Sequence, residues 1–184
     1  MAVPAARVTS TTPTPPSPPV PPPGVILVMG VAGSGKSTIG RRLAADLGWS
    51  FLDADDLHPP ANRTKMQAGQ PLTDADRLPW LQALRQHIDA ALATNTPVVL
   101  ACSALRESYR QLLRTDDSRV RLVHLTGAPA LLQSRLAGRT GHFFPGHLLD
   151  TQLATLEPPH GALTIDVTPP PAAIVASVRH ALSL

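Results

Sequence analysis

Val25-Ile26-Leu27-Val28-Met29, followed by Gly30-Val31-Ala32-Gly33-Ser34-Gly35-Lys36-Ser37-Thr38, is the stretch that decides the fold. The first five residues form an unbroken apolar run, as expected of a strand buried on both faces of a parallel sheet. Gly30 to Ser37 fits G-x-x-x-x-G-K-[ST]. Glycines let backbone N–H groups turn inward around phosphate oxygens. Lys36–Leu47 then reads as a helix, with Ile39, Leu43 and Leu47 on one face and Gly48 as its stop. Its N-terminus adds partial positive charge at the phosphates. The pattern predicts a nucleotide site in which Gly30 through Thr38 cradle the phosphates, Lys36 reaches the β/γ-phosphates and the Ser37 hydroxyl ligates Mg²⁺. Of the sixteen basic residues only Lys36 and Lys65 are lysines, so a lysine at this position is hardly accidental.

Outward from this element, strands are predicted at 50–53, 97–101, 121–125 and 163–167. Helices are predicted at 76–94, 103–114, 129–137, 148–156 and 172–182, with Ser103 as a cap of the second. In helix 76–94, Leu81, Leu84, Ile88 and Leu92 share a face and Pro79 lies near the first turn. The stretches 54–73 and 138–147 read as loops. Strands alternating with helices, without hairpin turn pairs, predict an α/β three-layer sandwich: a five-stranded parallel sheet flanked by helices. Met1 to Gly24 holds nine prolines and no apolar periodicity, which predicts a disordered Pro-rich tail ahead of one domain over residues 25–184.

Composition narrows the function. A net charge of +3 is too small to argue for nucleic acid. No apolar run reaches the ~18 residues of a membrane span, and the first 24 residues lack the apolar core of a secretory signal. The single cysteine, Cys102, reads as a core thiol and fits a reducing compartment, hence a cytoplasmic protein. No N-K-x-D is present to read guanine, and the strand ending in Ala101-Cys102-Ser103 carries no acid of the motor-ATPase kind. The acids follow the second strand, in Asp53-Ala54-Asp55-Asp56. In an open parallel sheet ligands bind beyond the carboxyl ends of strands. Phosphoryl transfer to an alcohol needs a Mg²⁺ environment and a group that orients the hydroxyl. Asp53, nearer the strand end, is assigned to the metal, and Asp55, further out, to the acceptor hydroxyl.

The stretch Leu57-His58-Pro59-Pro60-Ala61-Asn62-Arg63-Thr64-Lys65-Met66, continued by Gly69, Pro71-Leu72, Asp74, Asp76-Arg77 and Pro79-Trp80-Leu81, resembles the signature region of the thermoresistant-type gluconokinases. So do Cys102-Ser103-Ala104-Leu105-Arg106, Tyr109-Arg110 and Leu113-Arg114. Further along, Arg135-Leu136, Arg139, Gly141-His142-Phe143, Leu149, Gln152 and Thr155-Leu156-Glu157 resemble the family's lid region. The resemblance spans about residues 25 to 182. Ala54, Arg63 and Leu153 depart from it, standing where Gly, an aliphatic residue and Phe are usual.

This resemblance implies the fold of the nucleoside-monophosphate and shikimate kinases with a mobile lid, ATP and Mg²⁺ as cofactors, and phosphorylation of D-gluconate at its 6-hydroxyl to 6-phosphogluconate. It also implies a homodimer. Gluconate carries a carboxylate and a row of hydroxyls, which call for cations and short hydrogen-bonding side chains. His58, Asn62, Arg63, Lys65 and Arg77 supply these, with Asp55 at the reacting hydroxyl; Arg77 suits bidentate capture of the carboxylate. Arg135 and Arg139, four apart on one helix face, are assigned to the transferring phosphoryl group. Trp80 and Met66 read as core, and no third ligand is spaced to make a metal site of His142 and His147. Two alternatives stand beside this reading: a kinase of the same fold with a shikimate-like acceptor, and a non-catalytic nucleotide-binding module.

Overall fold

A computed structural model of the chain describes residues 22–114, 118–138 and 147–184. The expected tail through residue 21, and the lid segment with Arg139 and His142, lie outside these residues, as does the side chain of His147.

Five strands, β1 (Val25–Met29), β2 (Ser50–Asp53), β3 (Val98–Ala101), β4 (Val120–Thr126) and β5 (Leu163–Asp166), form one parallel sheet in the order β2-β3-β1-β4-β5. Strand β1 is central and wholly buried, as its unbroken apolar run requires. Its side chains alternate between two cores. Ile26 and Val28 pack with Ile39 and Leu43 of α1 (Lys36–Leu47), Leu132 of α5 (Pro129–Ala137) and Ile174 and Val178 of α7 (Pro171–Leu182). Val25, Leu27 and Met29 pack on the other face with Trp80, Leu84 and Ile88 of α3 (Asp74–Thr94) and Leu113 of α4 (Glu107–Leu113). The remaining helices are α2 (Pro60–Gln67) and α6 (His147–Thr155). The register Asp53↔Ala101 and Met29↔His124 aligns the carboxyl ends of β2, β3, β1 and β4 on one edge. From β1 the chain crosses to β2 and β3 on one side and to β4 and β5 on the other, so the phosphate loop leaves the sheet at its switch point, where ligands bind.

Three local expectations are corrected. The stretch after β2 is helical rather than loop-rich: a 3-10 turn at Ala54–Leu57 leads into α2, whose Pro60 occupies a starting position where its fixed φ is favourable. Helix α2 carries no apolar face, so periodicity could not reveal it, and Met66 is exposed rather than core. Helix α3 starts at Asp74, before the expected Asp76. Thr73 Oγ1 accepts from Asp76 N at 3.2 Å and Asp76 Oδ2 accepts from Thr73 N at 2.9 Å, a capping box, which leaves Pro79 inside the helix. Helix α4 starts at Glu107 and Ser103 does not cap it. Ala104 is left-handed (φ 43°), and the buried Arg110 guanidinium holds the preceding turn open by donating to Ala104 O (2.9 Å) and Leu105 O (3.0 Å).

Candidate active site

The phosphate loop joins β1 to α1 in the shape its glycines allow. Gly30 (φ 149°) could not carry a side chain, because a Cβ there would lie 2.6 Å from Leu125 O. At Gly33 (φ 80°) a Cβ would meet Leu132 O at 2.7 Å. Lys36 Nζ donates to Val31 O at 3.1 Å, folding over the loop it belongs to. Ala32 N donates to Gln152 Oε1 of α6 at 2.7 Å. The Ser34 hydroxyl is fully buried without a hydrogen-bond partner, an unmet polar group inside a phosphate-shaped loop. A cavity of about 270 Å³ opens here, lined by Gly33, Ser34, Gly35, Thr38, Ile39, Arg135, Pro171 and Ile174. Arg135 Nη2 donates to Val167 O at 2.7 Å, which fixes this arginine between the loop and α7. A larger cavity of about 320 Å³ lies under β2, bordered by Phe51, His87 and Thr94. It is lined by none of the candidate residues, whereas the smaller one is lined by Gly33, Ser34, Gly35, Thr38 and Arg135.

The acidic turn meets the phosphate loop at Ser37. Ser37 Oγ donates to Asp53 Oδ2 at 2.6 Å, while Asp53 Oδ1 accepts the backbone N–H of Asp55 at 3.3 Å and so caps the 3-10 turn. A hydroxyl and a carboxylate at the mouth of a phosphate loop form an oxygen donor set suited to Mg²⁺. With the loop glycines and the unmet Ser34 hydroxyl, this fits a Mg·nucleotide. Protein atoms crowd the Asp55 carboxyl. That desolvation, then the Asp53 charge, push its pKa up, while Lys36 pulls it down.

The residues assigned from the sequence to the acceptor are brought together and tied to α3. His58 is buried with its ring stacked on Trp80 at 4.3 Å and 15°. Burial, then Arg77 and Arg63, lower its pKa to about 4, so the ring is neutral at pH 7. Asn62 Nδ2 donates to Asp76 O at 2.8 Å and lies 3.4 Å from His58 Nδ1. Lys65 Nζ pairs with Asp76 Oδ1 at 2.7 Å; that bond and those from Thr73 lower the Asp76 pKa to about 2. Arg77 donates to Leu72 O, 3.8 Å from Asp74. Asp74 also accepts from Tyr109 and from Arg106 Nη1 (2.7 Å), two residues the sequence reading did not place at the site.

The three departures each have a structural place. Ala54 lies in the 3-10 turn outside the positive-φ region, so glycine is not required. Arg63 Nε donates to His58 O at 3.1 Å and its Nη2 to Asp56 O, bracing the turn. Leu153 packs partly buried against the α1/α7 core.

With this geometry in hand, relatedness is informative. The AAA domain family matches residues 25–159. The chain is 50% identical over 137 residues to a gluconokinase of Gluconobacter oxydans, covering 74% of this chain and 77% of that one. It is 42% identical to the thermoresistant gluconokinase of Escherichia coli over 157 residues, 83% of this chain and 90% of that one. This chain belongs to the gluconokinase family. A crystal structure of a gluconokinase from Sinorhizobium meliloti superposes with a TM-score of 0.79 at 47% identity, covering 88% of this chain and 92% of that one. Membership in the gluconokinase family makes the chain a P-loop kinase that uses ATP. Among the described residues no helix is long and apolar enough to cross a membrane.

Proposed function

We propose that this kinase transfers the γ-phosphoryl group of ATP to the 6-hydroxyl of D-gluconate, giving 6-phosphogluconate. The observation that carries the proposal is the 2.6 Å Ser37–Asp53 contact, which sets the acidic turn against the phosphate loop in a chain of this family. Ser37 and Asp53 are the residues that would hold Mg²⁺, whose charge there offsets that of the phosphates. The backbone from Gly30 to Thr38 receives phosphate oxygens. Lys36 leaves the Val31 carbonyl to bind the β/γ-phosphates. Asp55 accepts a hydrogen bond from the 6-hydroxyl and directs it in line with phosphorus, and its raised pKa suits it to receive the proton. Arg77, with guanidinium donors beyond the one given to Leu72 O, takes the gluconate carboxylate. His58, Asn62 and Lys65 border the acceptor hydroxyls. Arg135, and Arg139 from the family pattern, stabilise charge on the moving group. The family pattern also supports a homodimer in solution.

The test is ADP release by the purified chain with Mg²⁺ and ATP, with and without gluconate, and with shikimate in its place. Strong stimulation by gluconate alone is expected. Equal stimulation by shikimate, or none by either, would overturn the assignment.

A further inference from the structure

We infer that Trp80 is a positioning residue for phosphoryl transfer, its indole N–H gripping the peptide that links Ala54 to Asp55 and so setting where the Asp55 carboxylate stands. Trp80 Nε1 donates to Ala54 O at 2.7 Å across 26 positions of sequence, from a ring that is 3% exposed. The carbonyl it holds belongs to the first residue of the 3-10 turn, fully buried Ala54, and the next residue is Asp55. One face of the same indole stacks on His58, which caps the other end of that turn. A single side chain of α3 therefore clamps the acidic turn at its first residue and at its cap.

The turn is a short 3-10 segment of four residues. A 3-10 turn has poor hydrogen-bond geometry. Two of the bonds that hold it are long: His58 N to Asp55 O at 3.4 Å and Asp55 N to Asp53 Oδ1 at 3.3 Å. The indole bond to Ala54 O, at 2.7 Å, is shorter than both. Arg63 braces the later part of the turn, at Asp56 O and His58 O. In-line transfer is sensitive to displacement, since an error of about 1 Å can cost on the order of a hundredfold in rate. Trp80 is not among the residues that line the cavity beside the phosphate loop. It acts through Asp55, and the inference rests on the reading of Asp55 given above.

The experiment uses the full chain with Trp80→Phe, and with Trp80 replaced by 3-benzothienylalanine, which keeps the shape and stacking of indole but has sulfur in place of N–H. If the phenylalanine variant does not fold, the isostere decides. Both should lower kcat for gluconate about tenfold or more. Both should leave the ATP KM and the slow gluconate-independent hydrolysis of ATP within about twofold, because water needs no orientation by Asp55. In an Asp55→Asn background the Trp80 changes should add no further loss of kcat, as residues acting through one group are not additive. A folded isostere variant with wild-type kcat overturns the inference. So does equal loss with and without gluconate, or a full additive loss on Asp55→Asn. The Asp55 reading fails separately, if Asp55→Asn alone keeps wild-type kcat.

Discussion

The Ser37 hydroxyl, at the start of α1, and the Asp53 carboxylate, at the end of β2 and 16 residues on, meet at 2.6 Å. That contact joins the phosphate loop to the acidic turn through Asp53, which the proposed function assigns to the metal, with Asp55 assigned to the acceptor hydroxyl. Asp53→Asn is expected to raise the Mg²⁺ concentration needed for half-maximal rate. Asp55→Asn should leave that concentration alone and lower kcat with gluconate, affecting slow hydrolysis by water much less. Magnesium titrations of both variants test this, and identical metal profiles would contradict it.

Lys36 lies on the Val31 carbonyl at 3.1 Å, within the loop whose phosphates it is assigned to bind. Lys36→Ala should remove about 2–4 kcal/mol of transition-state stabilisation, the loss typical of one charge-stabilising donor. Steady-state kcat/KM for gluconate measures it; a near-wild-type value would refute the loop's role.

Two groups near the cleft set opposite pH dependences. His58 has its folded-state pKa lowered from 6.5 to about 4. Its neutral form thus contributes stability that is present above pH 6.5 and is lost as pH falls through about 4. Asp55 has its pKa raised from 3.8. The stability of its protonated form is present below that value and lost as pH rises, so at neutral pH the ionised carboxylate opposes folding. Thermal melts should show His58→Gln with a shallower decline in Tm between pH 6.5 and 4. Asp55→Asn should show a higher Tm than wild type at pH 7, the gap closing toward acid, a trade of stability for function. A lower Tm for Asp55→Asn at pH 7 would contradict the raised pKa.

Arg135 is anchored on Val167 O and lines the cavity beside Gly33 to Gly35. Arg135→Ala should lower kcat about tenfold or more, as loss of a transition-state cation does, with the gluconate KM within about twofold. A pure rise in gluconate KM would move this arginine to the acceptor side.

Local pattern alone carried the phosphate loop, the five strands and the acidic turn. A parallel strand buried on both faces must read as an apolar run such as Val25–Met29, and a loop that wraps phosphate with backbone N–H groups must place glycine at Gly30 and Gly33. Those constraints act within a dozen residues, so spacing reports them. How the layers stack decided the rest. Asn62 and Lys65 read as substrate ligands, and no sequence pattern signalled that Asp76, 14 and 11 residues away, holds both. Ser103 read as a cap, yet Arg110 withholds its turn from the helix. Trp80 read as core and is core, and its N–H also reaches back 26 positions to the turn after β2. A buried polar group must find a partner wherever the fold supplies one. That partner is chosen by which elements pack face to face, and only the folded chain brings α3 onto the turn after β2.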